Sequence, residues 1–192
     1  MKHHLTLITS PSDKYQLQPA GVGESQYTLY MDTVASPPHL RTNFWQVMDS
    51  AQLAPRDLAV DLYRIAATVY AADLGIPRVT GFDRWTRQFA LHVPVSNVDR
   101  WRSAQPGLEQ FLAFLTGDRW EVEFRQCLIT RPPRDERAWK KGAKPVARTV
   151  SLFSGGLDSF VGAVELTKTG SEICLVGHYG KHPFFKTVIL SA

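Results

Sequence analysis

The stretch TVSLFSGGLDS, residues 149–159, decides the fold of the carboxyl-terminal part of the chain. Its first five residues, ending at Phe153, are typical of a short β-strand, and a glycine-rich turn follows them. Residues 158–168 then favour a helix closed by Gly170, and the mostly apolar run 173–178 predicts a buried parallel strand. The order strand, loop, helix, strand predicts one βαβ unit that opens a doubly wound α/β domain.

Residues 149–192 hold only this first unit, whereas a parallel sheet needs several strands with helices on both faces. The chain is therefore expected to be a fragment of a longer protein or a natural truncation. By itself it is expected to be inactive, because one βαβ unit does not enclose a nucleotide.

Residues 1–130 are predicted to form a separate α+β module with antiparallel strands. Alternating apolar residues predict strands at 5–8, 27–32, 89–95 and 120–128. Apolar residues three and four apart predict a helix from Pro55 to Leu74 and a short one over 108–115, stopped by Gly117.

Residues 131–148 are predicted to be a linker between the two parts, since they contain three prolines and a glycine. This segment carries seven basic and two acidic side chains, in a protein whose net charge is +4. It is either a solvated connection or a surface that attracts nucleic acid or phosphates.

The loop that follows the predicted strand has the composition of an anion site: Ser154-Gly155-Gly156-Leu157-Asp158-Ser159. A helix amino terminus offers free N–H groups and a favourable dipole to a phosphate. The two glycines let the backbone approach phosphate oxygens, and the two serines can donate hydroxyl hydrogen bonds. Asp158 would repel phosphate directly, so its expected role is to hold a Mg²⁺ ion that bridges phosphates.

Two other phosphate-binding loops are excluded, because the chain contains neither Gly-x-x-x-x-Gly-Lys-Ser/Thr nor Gly-x-Gly-x-x-Gly. The string at residues 154–159 instead resembles the Ser-Gly-Gly-x-Asp-Ser loop of the PP-loop ATP pyrophosphatases, which have a HUP-like α/β fold. That resemblance implies cleavage of ATP between its α- and β-phosphates and adenylation of a substrate oxygen. It further implies catalytic roles for Asp158, Ser154 and Ser159, and contacts to ATP from the whole loop and from Phe153.

The second strand narrows the resemblance to the QueC-like enzymes, in which a string similar to Asp-Tyr-Gly-Gln-Arg-His occupies this place. Here the string is His178-Tyr179-Gly180-Lys181-His182, so that Tyr179 and Gly180 match and His178 replaces the acidic residue. His178, Tyr179 and Gly180 are accordingly expected near the nucleotide, although solvated loop histidines are an equally simple interpretation. The four zinc-binding cysteines of QueC enzymes have no counterpart, so no zinc ligands are expected in this chain.

The long segment before the loop is similar to the amino-terminal extension of the QueC-like (QatC) family of the Qat anti-phage defence system. The resemblance implies ATP and Mg²⁺ as cofactors, a small carboxylate such as a deazaguanine acid as substrate, and attack by an amine. It also implies a protein partner from the same defence operon, bound by the amino-terminal module. Two alternatives stay open: a non-catalytic assembly subunit, or another PP-loop amidase or thiolase.

Composition excludes several classes of protein. The chain has 44% hydrophobic and 21% charged residues, which is ordinary for a globular protein, and no apolar run long enough to span a membrane. No secretory signal is recognisable, and the two cysteines, Cys127 and Cys174, form no disulfide framework. A cytoplasmic protein with reduced, buried cysteines is expected.

Two further groups of residues were candidates for binding sites. The five tryptophans could stack on nucleic-acid bases, but positions in the core or at an interface are the favoured expectation. They are Trp45, Trp85, Trp101, Trp120 and Trp139. Asp83, Arg84 and Arg87 are expected to form a surface ion-pair cluster.

Overall fold

A computed structural model describes residues 1–32, 39–127, 131, 149–170, 172–177 and 190–191. The chain divides into two compact units, each considered by itself. Unit 1 comprises Met1–Arg41 and Pro55–Arg131, and unit 2 comprises Thr42–Ala54 and Pro132–Ala192. The predicted linker 131–148 lies outside the described residues except for Arg131, which donates a hydrogen bond to the Asp57 carboxylate at 3.0 Å.

Unit 1 is built on a four-stranded sheet in which every neighbouring pair of strands is parallel. The strands are β1 (Lys2–Ile8), β2 (Glu24–Tyr30), β3 (Gln88–Val95) and β4 (Arg119–Gln126), in the spatial order β2-β1-β3-β4. The fold is therefore a mixed α/β fold with a parallel sheet. The predicted strand positions are confirmed, with shifts of a few residues at their ends.

The expectation of an α+β module with antiparallel strands is wrong. Strands that alternate between apolar and polar residues are typical of antiparallel sheets because one face of such a sheet often meets water. In this sheet the same alternation arises differently. The two long helices of unit 1 cover one face only, so the other face is free to carry polar side chains although the strands are parallel.

The helices of unit 1 pack on the face of the sheet formed by Leu5, Leu7 and their neighbours. They are α2 (Asp57–Gly75) and α3 (Val98–Thr116), and a 3₁₀ turn, Arg78–Thr80, follows α2. The core between helices and sheet contains fully buried aliphatic residues, among them Leu91 and Val93, and the stacked rings of Phe89 and Trp120, 4.4 Å apart. Burial of this apolar surface supplies the main free energy of folding.

Helix α3 is longer than predicted, since it begins at Val98 instead of Leu108. Its first half has few apolar residues, and Pro106 lies inside it, so periodicity alone does not reveal it. The Asn97 side chain caps the helix by accepting a hydrogen bond from the Arg100 amide at 2.9 Å. The predicted stop is confirmed, because Gly117 takes the left-handed conformation with φ of 72°.

Unit 2 contains the predicted βαβ unit. Strand β5 (Thr149–Leu152) and strand β6 (Ile173–Val176) are parallel neighbours, and helix α4 (Leu157–Lys168) connects them. A short strand, β7 (Leu190–Ser191), pairs antiparallel with β6 and was not predicted. Helix α1 (Phe44–Ser50) was also missed; it has only two turns and no buried residue to mark an apolar face.

The tryptophans and cysteines meet the expectations in part. Trp101 and Trp120 are buried in the core of unit 1, whereas Trp85 is 62% exposed. Cys174 is buried but Cys127 is partly exposed, against the expectation that both are buried. Trp139 lies outside the described residues.

Across the part of the chain that the structure describes, no helix has the length and apolarity needed to cross a membrane.

Candidate functional site

The glycine-rich loop lies at the carboxyl end of strand β5, where the chain enters helix α4. The amide of Phe153 donates a hydrogen bond to the Val176 carbonyl at 2.8 Å and so continues the pairing of β5 with β6 for one more residue. The loop begins immediately afterwards at Ser154. Ligands in open parallel sheets bind at this end of the strands, so the fold presents the loop where a ligand is expected.

Hydroxyl groups fold the loop onto itself. Ser154 Oγ lies 3.2 Å from Ser159 Oγ, and Ser159 Oγ donates to the Gly156 carbonyl at 2.8 Å. The Gly156 amide lies 3.4 Å from Ser154 Oγ. These contacts bring both predicted serines to the same side of the helix terminus, within reach of one ligand.

The two glycines differ in what they do. Gly155 has a φ of 81°, a conformation that residues with a Cβ atom rarely adopt, and a Cβ atom there would meet nothing within 4 Å. Gly156 has an ordinary extended conformation and takes the N-cap position of α4, where no side chain caps the helix. The left-handed backbone at Gly155 is therefore the conformational requirement of the loop.

The start of α4 leaves backbone donors open. The first hydrogen bond of the helix joins the Phe160 amide to the Gly156 carbonyl at 3.1 Å. The amides of Leu157, Asp158 and Ser159 precede it and have no carbonyl partner inside the helix. Together with the helix dipole they form a positive end that suits an anion.

Asp158 lies in the first turn of α4 with its side chain exposed to solvent. Next to it the apolar side chains of Leu157 and Phe160 are 76% and 56% exposed. Among the residues that the structure describes, no three His, Cys, Asp or Glu side chains are grouped to hold a metal ion. Of the six loop residues, Asp158 is the one that offers a carboxylate to a magnesium ion.

Three predicted site residues, His178, Tyr179 and Gly180, lie outside the described residues, so their place relative to the loop stays a prediction. Gly177, just before them, is described. A Cβ atom at Gly177 would lie 3.1 Å from the Phe153 carbonyl oxygen, which is tight enough to favour glycine. The backbone that follows the second strand thus passes close to Phe153, the residue just before the loop.

Sequence reasoning missed a second polar cluster, on the sheet face of unit 1 that the helices leave uncovered. Four side chains run across the four strands in the order Glu24, His4, His92 and Glu123. His4 Nδ1 lies 3.3 Å from His92 Nε2, and His92 Nδ1 lies 2.8 Å from Glu123 Oε2. His4 Nε2 lies 3.5 Å from Glu24 Oε1. Titratable residues at alternate positions of predicted strands were the signal that could have indicated this cluster.

The proton positions in this cluster follow from the carboxylate. Glu123 accepts, so His92 Nδ1 carries the proton and His92 Nε2 accepts a hydrogen bond from His4 Nδ1. Burial lowers the pKa of His92, since desolvation disfavours the imidazolium and the Glu123 carboxylate only partly offsets this. The pair is therefore arranged to keep His92 neutral.

Asp83, Arg84 and Arg87 were expected to form a surface ion-pair cluster. Asp83 and Arg84 are exposed, as expected, whereas Arg87 is buried. The Arg87 side chain is 2% exposed and contacts the buried Asp118 carboxylate at 2.6 Å. Asp83 instead stabilises a local turn by accepting hydrogen bonds from the amides of Trp85 and Thr86 at 2.9 and 2.6 Å, and these lower its pKa to about 2. Both carboxylates have structural partners.

Comparison of the chain with protein-family models, with curated proteins and with solved structures gives no match.

Proposed function

We propose that the chain carries the ATP-binding loop of a PP-loop ATP pyrophosphatase and serves a QueC-like adenylation reaction. The observation that carries this proposal is the loop at residues 154–159: a left-handed glycine, two converging serines and three unpaired amides at the start of a helix. Amide and hydroxyl donors at the positive end of a helix are the groups that bind the negatively charged oxygens of a polyphosphate.

Each loop residue has a role that follows from its chemistry. The amides of Leu157, Asp158 and Ser159 bind phosphate oxygens. The hydroxyls of Ser154 and Ser159 turn from their hydrogen bonds within the loop to donate to the same anion. Gly155 supplies the turn that brings the backbone close. ATP, when bound, supplies the adenylyl group that activates a carboxylate, with pyrophosphate as the leaving group.

Magnesium fits this loop through one protein carboxylate. Mg²⁺ in nucleotide sites keeps several waters and takes one or two carboxylates together with phosphate oxygens. Asp158 is exposed at the mouth of the anion site and meets that need. His178, Tyr179 and Gly180 follow β6 and are proposed to border the nucleotide from the second strand.

The substrate and partner belong to the same proposal. A small carboxylic acid, with a deazaguanine acid as the first candidate, would accept the adenylyl group, and an amine would displace AMP. The resemblance to the QueC-like (QatC) family of the Qat defence system points to an amine on a protein partner and to a role in anti-phage defence.

A second candidate function is that of a non-catalytic assembly subunit. Exposed apolar side chains on unit 1 favour it: Phe111 and Phe114 on α3 are 56% and 86% exposed, and Phe82 before β3 is 68% exposed. Large exposed aromatic residues are common at protein interfaces. In this alternative the loop contributes no chemistry.

The experiment that separates the two candidates measures pyrophosphate. The protein that contains this chain is incubated with ATP, Mg²⁺ and a panel of carboxylic acids, and pyrophosphate release is followed. We expect acid-dependent release that falls at least about a hundredfold in Asp158→Ala, because a charge-stabilising group of the reaction is lost. Glu165→Ala, on the same helix and exposed like Asp158, is the matched control and should retain activity. Release that is unaffected by Asp158→Ala would refute the proposed role of the loop, and its complete absence would favour the assembly subunit.

A further inference from the structure

Unit 1 contains a cavity of about 700 Å³ on the sheet face that the helices leave uncovered. Its floor is made of neighbouring residues of β1 and β2: Thr6 pairs with Thr28, and Ile8 pairs with Tyr30. Its wall is the segment of residues 10–17, which leaves the carboxyl end of β1 and crosses towards β2. Ligand sites in parallel sheets lie at the carboxyl ends of strands, and their usual volumes are about 300–1,000 Å³.

The wall is fixed in place at the β4 side of the cavity. Asp13 pairs with Arg125 of β4 at 2.7 Å, and the Arg125 guanidinium lies 4.6 Å from the centre of the Tyr15 ring. Arg125 also donates a hydrogen bond to the Leu7 carbonyl, so its position is set by the sheet itself.

The wall is fixed on the opposite side as well. The side-chain amide of Gln26 in β2 donates a hydrogen bond to the Gln18 carbonyl, just after the wall segment. Within the wall, the Asp13 amide donates to the Ser10 carbonyl at 3.0 Å and closes a turn. Anchors on both sides keep the space above β1 and β2 open, so a ligand would enter a preformed site.

The charges of the cavity are nearly balanced. Among the described residues that line it, Asp13 is the one acidic side chain; it is 7% exposed and pairs with Arg125. Lys14 is the one basic residue in this described lining, and it is exposed to solvent. A polyphosphate or another multiply charged ligand would find no matching set of charges there.

The remaining lining residues offer hydroxyls, amides and phenol rings beside the apolar Ile8, Pro11 and Leu17. Thr6, Thr28 and Ser10 offer hydroxyls, Gln16 offers a carboxamide, and Tyr30 offers a ring. Hydroxyls and carboxamides both donate and accept hydrogen bonds, as the hydroxyls of a sugar ring do. Aromatic rings pack against flat or apolar ring faces.

We propose that this cavity binds an uncharged ring that carries several hydroxyl groups, either a free saccharide or the ribose of a nucleoside. The proposal is independent of the function proposed for the loop of unit 2, because every described residue that lines the cavity lies between residues 6 and 30.

The test is an NMR titration of the full chain, labelled with ¹⁵N, with two arms of probes. One arm uses ribose, glucose and maltose, the other adenosine and guanosine, and inorganic phosphate is the anion control. We expect saturable shifts of the amides of residues 10–17 and of Thr28 and Tyr30 with at least one arm, and none there with phosphate. Saturation by sugars identifies a saccharide site, and saturation by nucleosides alone identifies a nucleoside site; both support the proposal.

Two variants make the test specific. Thr28→Val keeps the shape of an exposed side chain and removes one hydroxyl, so binding should weaken by about threefold to tenfold. Ser103→Ala removes an exposed hydroxyl on α3, away from the cavity, and should leave binding unchanged. The proposal is overturned if no probe gives saturable shifts up to its solubility limit, if phosphate binds at the cavity instead, or if Thr28→Val and Ser103→Ala bind equally well.

Discussion

Replacement of Asp118 by alanine would remove one partner of Arg87, a buried charge of unit 1 whose hydrogen bonds are all satisfied. Every N–H of the Arg87 guanidinium has an acceptor. Nε and Nη2 donate hydrogen bonds to Oδ2 of the Asp118 carboxylate, at 3.2 and 2.6 Å respectively. Nη2 also donates to the Asp73 carboxylate at 2.5 Å, and Nη1 donates to the carbonyls of Asp73 and Ile76 at 3.0 and 2.7 Å. The cluster therefore joins the end of α2 to the residues that immediately precede β3 and β4.

The expected cost follows from burial. Arg87 is 1% and Asp118 is 2% exposed, so the alanine variant would leave two guanidinium N–H groups, on Nε and Nη2, without an acceptor away from water. Asp118 also accepts from the Arg87 amide at 2.8 Å, and that bond is lost too. Removal of one partner of such a pair costs about 3–5 kcal/mol. Since Asp73 is retained as a second countercharge, we expect about 3–4 kcal/mol for Asp118→Ala.

Denaturant unfolding followed by circular dichroism, with exchange of the β3 amides as the local readout, would measure this cost. Arg102→Ala is the control, because Arg102 and Asp99 form an exposed pair at 3.4 Å that should contribute almost nothing. Arg87→Met in the Asp118→Ala background should recover part of the loss, since it removes the stranded charge. A loss below about 1 kcal/mol in Asp118→Ala would contradict the reasoning.

Three further predictions concern the same unit. Gly117→Ala should destabilise the protein by about 1 kcal/mol because φ is 72° there, whereas Gly107→Ala, inside α3 with open space around it, should stabilise it by about 0.5–1 kcal/mol; thermal unfolding of both tests this. Asp61→Ala should cost about 3 kcal/mol in denaturant unfolding, since the buried carboxylate accepts from the Ser96 amide and hydroxyl and from an indole N–H. Burial lowers the pKa of His92. Just below the ordinary histidine pKa, the unfolded chain therefore binds a proton at His92 that the folded chain does not bind. Stability should therefore fall as the pH drops below about 6.5, with a slope that His92→Gln reduces by at most about 1.4 kcal/mol per pH unit; an unchanged slope would contradict this.

The sequence predicts the elements of the fold better than their arrangement. Residues 120–128 alternate clearly, and β4 lies where they predict it. The alternation does not predict whether this strand pairs parallel or antiparallel with its neighbour, because it indicates only that one face of the sheet is polar. Whether neighbouring strands run parallel depends on the connections, and the connection from β1 to β2 crosses without a helix through residues 9–23.

Charged residues were the other source of error. Arg87 belongs to a residue type that is almost always exposed, so a surface position was the reasonable expectation. Its burial depends on acceptors from Asp73, Ile76 and Asp118, and nothing in the linear sequence shows that these meet at one point. His4 and His92 were overlooked for the same reason, since they become neighbours only through the pairing of β1 with β3.

The loop at residues 154–159 could be predicted because its conformation depends on residues that are neighbours in the sequence: the preceding strand, the glycines and the start of the helix. Strand, loop and helix are confirmed in that order, with a left-handed Gly155 at the turn. What the loop binds stays a prediction.

The most direct test of the central claim is calorimetric titration with Mg²⁺-ATP of the protein that contains this chain, comparing two glycine variants of unit 2. Gly155→Ala places a Cβ atom on a backbone with φ of 81° and should disturb the anion site, so affinity should fall at least about tenfold. Gly162→Ala adds the same methyl group inside α4, where nothing lies within 4 Å, and should bind as the unchanged protein does. Absence of binding by the unchanged protein, or equal affinities for both variants, would contradict the assignment of residues 154–159 as an ATP-binding loop.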